Sequence, residues 1–188
     1  MPFPIPTDKI ETRHYINGAF SESSDKGTFK LSSPYSHEKI ADVSEASVDD
    51  TNRAVAAAKA AFPAWSATDP NVRAVPMKRM AALFMEHATE LAQLDAMAMG
   101  RPVSQHFDTM YASMCFEHWA HAGYEAKGTT SLNTPGLVSM SFRQPIGPVA
   151  CIIPWNVPVI MFAQKLGPAL AAGCTVVLKS SEKAPLSV

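Results

Sequence analysis

Val149 to Glu182 reads VACIIPWNVPVIMFAQKLGPALAAGCTVVLKSSE, an apolar run, a helical run and a second apolar run. Val149 to Ile153 is short, apolar and largely β-branched, which predicts a buried strand. Pro158 to Ala172 carries Met161, Phe162, Leu166, Ala169 and Leu170 at helical spacing, and Gly173 supplies the stop. Cys174 to Leu178 is apolar and short again. Strand, helix and strand within about 30 residues make a βαβ unit, with parallel strands joined by a right-handed crossover. Ligands of such sheets bind beyond the carboxyl ends of the strands. Trp155-Asn156 and Lys179-Ser180-Ser181-Glu182 follow the two strands, so both are expected at one crevice.

Outward from this unit, the fifty opening residues predict small antiparallel strands. Residues 1 to 12 hold three prolines and predict an arm over the surface. His14 to Ile16 enters an Asn-Gly turn and Ala19-Phe20 returns from it. Thr28 to Leu31 and Lys39 to Val43 form a second pair across Ser-Pro-Tyr-Ser. Ser47 with Asp50 has the spacing of a capping box opening a helix. Its buried face is Val55, Ala58, Phe62 and Trp65, and Pro63 is expected to end or bend it. Asp69-Pro70 restarts a helix in cap-then-first-turn order. Leu83, Phe84, Leu91 and Leu94 continue its apolar side, with a kink expected at Pro76. Gly100-Arg101-Pro102 is a break, and a further helix is expected over Val103 to Lys127, apolar at Phe107, Met110, Tyr111, Met114 and Trp119. The methionines Met97, Met99, Met110 and Met114 read as packing. Leu137 to Gln144 is expected as a strand.

The bulk values exclude several classes. The 188 residues are 47% hydrophobic and 18% charged with net charge −1, which is globular and lacks a footprint for nucleic acid or an anionic membrane surface. No apolar run reaches transmembrane length, and the N-terminus has no signal-peptide pattern. Cys115, Cys151 and Cys174 are few, odd in number and in apolar surroundings, which points to reduced thiols in the cytoplasm. A metal site is not expected. Cys115 and His118 share a helix face, but His121 lies about 120° away from Cys115, so the three cannot converge.

Six stretches in fixed order carry a resemblance: YINGAF, AFPAW, GRPV, FRQPIGPVACIIPWNVP, KLGPALAAGCTVVLK and SSEKAPLS. Together they resemble the N-terminal part of the NAD(P)-dependent aldehyde dehydrogenase superfamily. The implied fold class is α/β, the beginning of a Rossmann-type domain. It comprises small strands and helices of the cofactor domain over 1–126, an oligomerisation-type strand segment over 127–145, and a first, incomplete βαβ unit over 146–188. The implied reaction oxidises an aldehyde through a cysteine thiohemiacetal, hydride transfer to NAD(P)+ and thioester hydrolysis.

By motif, Asn156 is the implied catalytic residue, donating its side-chain amide to the oxyanion. Such a donor is worth roughly 2.7–4 kcal/mol in comparable holes. Ile152, Ile153, Pro154 and Trp155 would line the cofactor cleft. Lys179 and Glu182 would hold the adenosine ribose, where a carboxylate disfavours a 2′-phosphate and so favours NAD over NADP. Val157, Met161 and Gln164 match the substrate tunnel, and Lys165 is the lysine of KLGPAL. Val157 replaces an aromatic residue common after the Asn, Ser180 a Pro, and Arg101 a Lys. Met99 stands where a polar residue is usual. The family's glycine-rich turn, general-base glutamate and nucleophilic cysteine come later than Val188, and none of the three cysteines fits the nucleophile's motif. The chain is therefore expected to be truncated and inactive alone, its homo-oligomerisation strand lacking partners. The alternatives are a non-catalytic relic or interaction protein, using Leu137 to Gln144 against an intact homologue, or a nucleotide-binding module. Taken without the resemblance, Asn156 is an ordinary loop amide and Lys179 a surface lysine. No G-x-G-x-x-G is present, so dinucleotide binding is implied by the resemblance alone.

Overall fold

A computed structural model describes residues 5–188; the first four residues of the expected N-terminal arm lie outside it. Strands β1 (His14–Ile16) and β2 (Ala19–Ser21) form a hairpin, and β3 (Thr28–Ser32) pairs antiparallel with β4 (Lys39–Ser44). Asn17 and Gly18 turn β1 into β2 at φ 52° and 79°, the left-handed geometry that makes Asn-Gly a hairpin signal. Helices α1 (Val48–Ala67), α2 (Pro70–Glu86), α3 (Ala88–Met99) and α4 (Asp108–Ala122) follow. Two short strands, β5 (Thr130–Ser131) and β6 (Ser139–Met140), pair antiparallel, and β7 (Pro148–Ile152), α5 (Pro158–Ala171) and β8 (Thr175–Lys179) close the chain. The strands β7 and β8 are parallel, with Ile152 opposite Lys179, so the expected βαβ unit is present.

The capping box opens α1 as its spacing requires: the Asp50 N–H donates to Ser47 Oγ at 3.1 Å and the Ser47 N–H donates to Asp50 Oδ2 at 3.1 Å. Asp69 caps α2, accepting from the Asn71 N–H at 2.8 Å, with Pro70 in the first turn. Gly173, at φ 84°, ends α5 while the Cys174 N–H returns to the Ala169 carbonyl at 2.9 Å.

Several expectations need correction. Pro63 does not end α1, which continues to Ala67. Pro63 and Lys59, whose carbonyl loses its helical donor, are both exposed, so water can satisfy the orphaned oxygen. The single helix expected through Leu83 to Leu94 is two, divided at His87, whose backbone (φ −103°, ψ 19°) leaves the helical range. The helix expected over Val103 to Lys127 starts only at Asp108 and stops at Ala122, flanked by 3-10 turns at Val103–Gln105 and Gly123–Glu125. The strand expected over Leu137 to Gln144 reduces to Ser139–Met140. The β7 strand is not buried throughout: Cys151 is buried, but Ile152 is 68% exposed.

The face of α4 is the largest correction. Phe107, Met110, Tyr111 and Met114 are exposed, while Ala112, Phe116 and Ala120 face the core. These three pack with Ala74, Met77, Ala81 and Phe84 of α2 and with Val159 and Ala163 of α5. Ala112 and Ala120 let the helices approach closely on either side of Phe116, whose ring packs on Phe84, while Phe107, Met110, Tyr111 and Met114 are left outside. Met97 alone of the four methionines is buried. A second core joins Leu31, Ile40 and Val43 to Met97, Ala98 and Ala184.

Candidate functional site

The β7–α5 connection places the expected residues at the carboxyl end of β7. Ile153 is buried, and its N–H donates to the Lys179 carbonyl at 3.1 Å, extending the parallel ladder by one rung. Pro154, Trp155 and Asn156 are exposed, and Pro158, buried, occupies the first turn of α5. The loop thus has a fixed entry and exit with three exposed residues between. Among the described residues, the Asn156 side chain takes no hydrogen-bond partner, so its amide is free to serve a ligand. Its backbone carbonyl accepts from Arg101 Nη2 at 3.0 Å.

Beyond β8, Lys179 Nζ lies 3.5 Å from Glu182 Oε2, both side chains exposed. Glu182's own backbone N–H, and then the Lys179 ammonium, hold its carboxyl below the usual carboxylate range. The two polar clusters meet at one cavity of about 420 Å³ lined by Trp155, Glu182 and Lys183 with Lys30, Ser32 and Met99. Lys183 Nζ stands 5.9 Å from the Trp155 ring centroid, a cation–π contact across it. Neither Asn156 nor Lys179 lines this cavity. Lys179 and Glu182 offer a donor and an acceptor side by side, a set that fits the hydroxyls of a ribose.

On the other side of the loop, Gln164 Nε2 donates to Tyr111 Oη at 2.9 Å, joining α5 to the exposed face of α4. Val157 and Met161 are half-buried nearby in sequence, at the start of α5. Sequence reading placed Tyr111 and Phe107 on the apolar side of their helix; only packing shows that this face is open. Burial pushes the Cys115 and Cys151 thiols up, against thiolate formation, with Lys165 a weaker opposing influence on Cys151. All three cysteines are free, and Cys174 is buried.

Sequence reading also missed a buried ionic cluster behind the loop. Asp95, His106 and Asp108 each offer an atom, all within 4.8 Å of one another. These side chains are 1%, 2% and 0% exposed. Within the cluster, His106 Nε2 lies 3.0 Å from Asp95 Oδ2, and Arg101 bonds Asp108 through Nη1. Arg101 pairs with the buried Asp108 and His106 with the buried Asp95, the partners that buried polar side chains require. The Arg101 position departs from its motif, and that departure was the only signal in the sequence.

Comparison with known proteins gives a consistent answer. The sequence profile described as "Aldehyde dehydrogenase family" matches residues 20–188. The chain is 35% identical over 182 residues to the NADP/NAD-dependent aldehyde dehydrogenase PuuC of Escherichia coli, covering 95% of this chain and 37% of that protein. It superposes on the aldehyde dehydrogenase KauB of Pseudomonas aeruginosa with a TM-score of 0.90 at 38% identity, covering 95% of this chain and 37% of that one. A Staphylococcus aureus betaine aldehyde dehydrogenase, solved in complex with NAD+, gives a TM-score of 0.89 at 32% identity, covering 96% of this chain and 37% of that one. The chain thus spans a little over a third of the length of these relatives.

Proposed function

The chain belongs to the aldehyde dehydrogenase family, and from that premise we propose that residues 1–188 supply the oxyanion donor and the first part of the cofactor cleft for NAD(P)-dependent oxidation of an aldehyde to a carboxylic acid. The observation that carries this reading is the free Asn156 amide in a loop tethered at the carboxyl end of a parallel strand. In the reaction, negative charge develops on the aldehyde oxygen as a thiolate adds to the carbonyl carbon. A fixed amide donor stabilises that charge without reorganising, so its benefit falls on the transition state.

Lys179 and Glu182 would hold the adenosine ribose, with Ile152, Ile153, Pro154 and Trp155 along the cleft, Ile153 through its backbone because its side chain is buried. Bound there, NAD(P)+ supplies the hydride acceptor. The Glu182 carboxylate repels a 2′-phosphate, which favours NAD. Val157, Met161 and Gln164 would line the aldehyde's path, and the open α4 face, tied to Gln164 through Tyr111, extends that wall. The nucleophile would come from outside residues 1–188, because the thiols here are buried or pushed toward the neutral form. A cytoplasmic location belongs to the same reading, in keeping with free thiols.

Two measurements test this. Purified 1–188 chain with NAD+ and a panel of aldehydes should form no NADH above blank; turnover would show that a group within these residues serves as nucleophile. Fusing these residues in place of the matching part of the Escherichia coli relative should give an active chimera. In it, Asn156→Ala should lower kcat roughly 10²–10³-fold, and an unchanged kcat would remove Asn156 from the chemistry.

A second reading rests on the β5–β6 hairpin, where Leu132, Leu137, Val138, Met140 and Phe142 are exposed together. Apolar surface of this kind marks an association site, through which the chain would pair with itself or with an intact homologue. Light scattering after size exclusion, comparing the chain with a Val138→Glu/Met140→Glu variant, should show loss of an assembled form; a monomer in both would refute it.

A further inference from the structure

We propose that Arg101 is the positioning residue of the oxyanion loop, bridging a buried carboxylate to the backbone of Asn156 and so setting where the Asn156 amide points. Its importance for chemistry rests on the reading of Asn156 as donor, but the tether itself does not. The guanidinium is held from both ends. Nη1 donates to Asp108, whose side chain is fully buried at the start of α4, and Nη2 donates to the Asn156 carbonyl at 3.0 Å. Its carbon also stands 5.8 Å from the Phe107 ring centroid. The Arg101 side chain is 17% exposed: its contact with Asp108 is part-buried, while its bond to the Asn156 carbonyl lies at the surface.

The loop needs such an anchor. Ile153 is fixed by its rung to Lys179, and Pro158 by the first turn of α5, where the Met161 N–H already takes the Val157 carbonyl at 3.0 Å. Between these points the Asn156 carbonyl, bonded to Arg101, adds a hydrogen-bonded hold on the exposed part of the loop, beside the Lys183 contact on the Trp155 ring. Fixing that carbonyl fixes the plane of the peptide following Asn156 and, with Ile153 held at the other end, narrows the directions from which the side chain departs. A planar fork can serve two acceptors at once in a set geometry; an ammonium is a point donor on a flexible stem. Beside Asp108, Asp95 and His106 are paired with each other at 3.0 Å, which leaves Arg101 as the side-chain partner of Asp108.

The test is backbone order by 15N NMR relaxation on the 1–188 chain. In the unsubstituted protein, Asn156 and Val157 should show order parameters near those of rigid backbone, about 0.85. Arg101→Met alone would leave Asp108 buried without a partner, so it is paired with Asp108→Asn, which removes both charges together. In that double variant the Asn156 and Val157 values should fall to about 0.6 or below, while the β7 and β8 amides hold theirs. Arg101→Lys should recover part of the order. Unchanged values at Asn156 and Val157 would overturn the proposal, as would an equal fall across β7 and β8, which would report general loosening. Asn156→Ala separates this inference from the functional one. It should leave Val157 ordered, because the backbone carbonyl remains, even if the chimera shows that the Asn156 amide has no part in the reaction.

Discussion

Replacing Gly167 with Ala sets two opposing effects against each other at the α4–α5 seam. Alanine is favoured over glycine inside a helix by about 1 kcal/mol, so on propensity alone the change should stabilise α5. A Cβ at this position, however, would lie 2.7 Å from Trp119 Cδ1, 3.2 Å from Cγ and 3.5 Å from Cβ. Carbon atoms in good contact stand about 3.5–4.0 Å apart, so the nearest atom is short by most of an ångström. The atoms in the way are the root of the indole, not its far edge. They can retreat only if Trp119 changes rotamer or α4 moves, and Trp119 also meets the His118 ring edge-on at 5.1 Å. Overpacking of this sort costs about 1–3 kcal/mol, and a blocked root belongs in the upper part of that range. The expected net loss is about 1–2 kcal/mol. With a urea m-value of about 2 kcal/mol/M, the midpoint followed by circular dichroism should fall by about 0.5–1 M. In a Trp119→Ala background the obstruction is gone, so the same Gly167→Ala change should become neutral or stabilising. A Gly167→Ala protein at least as stable as its parent would refute the reasoning and show that the seam relaxes freely.

Two further perturbations follow from buried polar groups. Asp50 accepts from the Ser24 N–H at 3.1 Å, the Ser47 N–H at 3.1 Å, Ser47 Oγ at 2.9 Å and Ser23 Oγ at 3.1 Å, the Ser24 bond foremost in holding its carboxyl well below the usual range. Because the folded-state pKa is depressed, this stabilisation is present above the unfolded carboxylate value of about 3.9 and is lost as pH falls through the folded one. Asp50→Asn should therefore melt lower than the parent at pH 7, with the difference closing below about pH 4; a gap constant with pH would contradict the assignment. Arg73, buried in α2, donates to the Thr68 carbonyl and, at 3.2 Å, to the Ala171 carbonyl at the end of α5. Arg73→Met keeps the stem but strands both oxygens, and should cost about 2–3 kcal/mol in a urea titration; a loss under about 0.5 kcal/mol would show that water replaces the guanidinium.

Local chemistry in the sequence was sufficient where neighbours along the chain decide the outcome. The Asn17-Gly18 hairpin, the Ser47/Asp50 capping box and the Asp69-Pro70 start depend on dihedral preference or on side chains within a few residues of their partners, and the β7–α5–β8 unit on the order of apolar and helical runs in one stretch. The family, too, was legible, since its motifs are short and occur in order. What tertiary structure decided is which surface of a helix is buried and what lies behind a loop. Phe107, Met110, Tyr111 and Met114 are the more apolar side of α4, yet Ala112, Phe116 and Ala120 face the core, because the face that meets α2 and α5 is decided by how the three helices pack, which no single segment encodes. Arg101 and Asn156 are 55 residues apart, so the hydrogen bond that aims the loop exists only once α4 has packed on α5. Asn156 could be named from its motif; its orientation depends on a buried charge that folding alone brings beneath it.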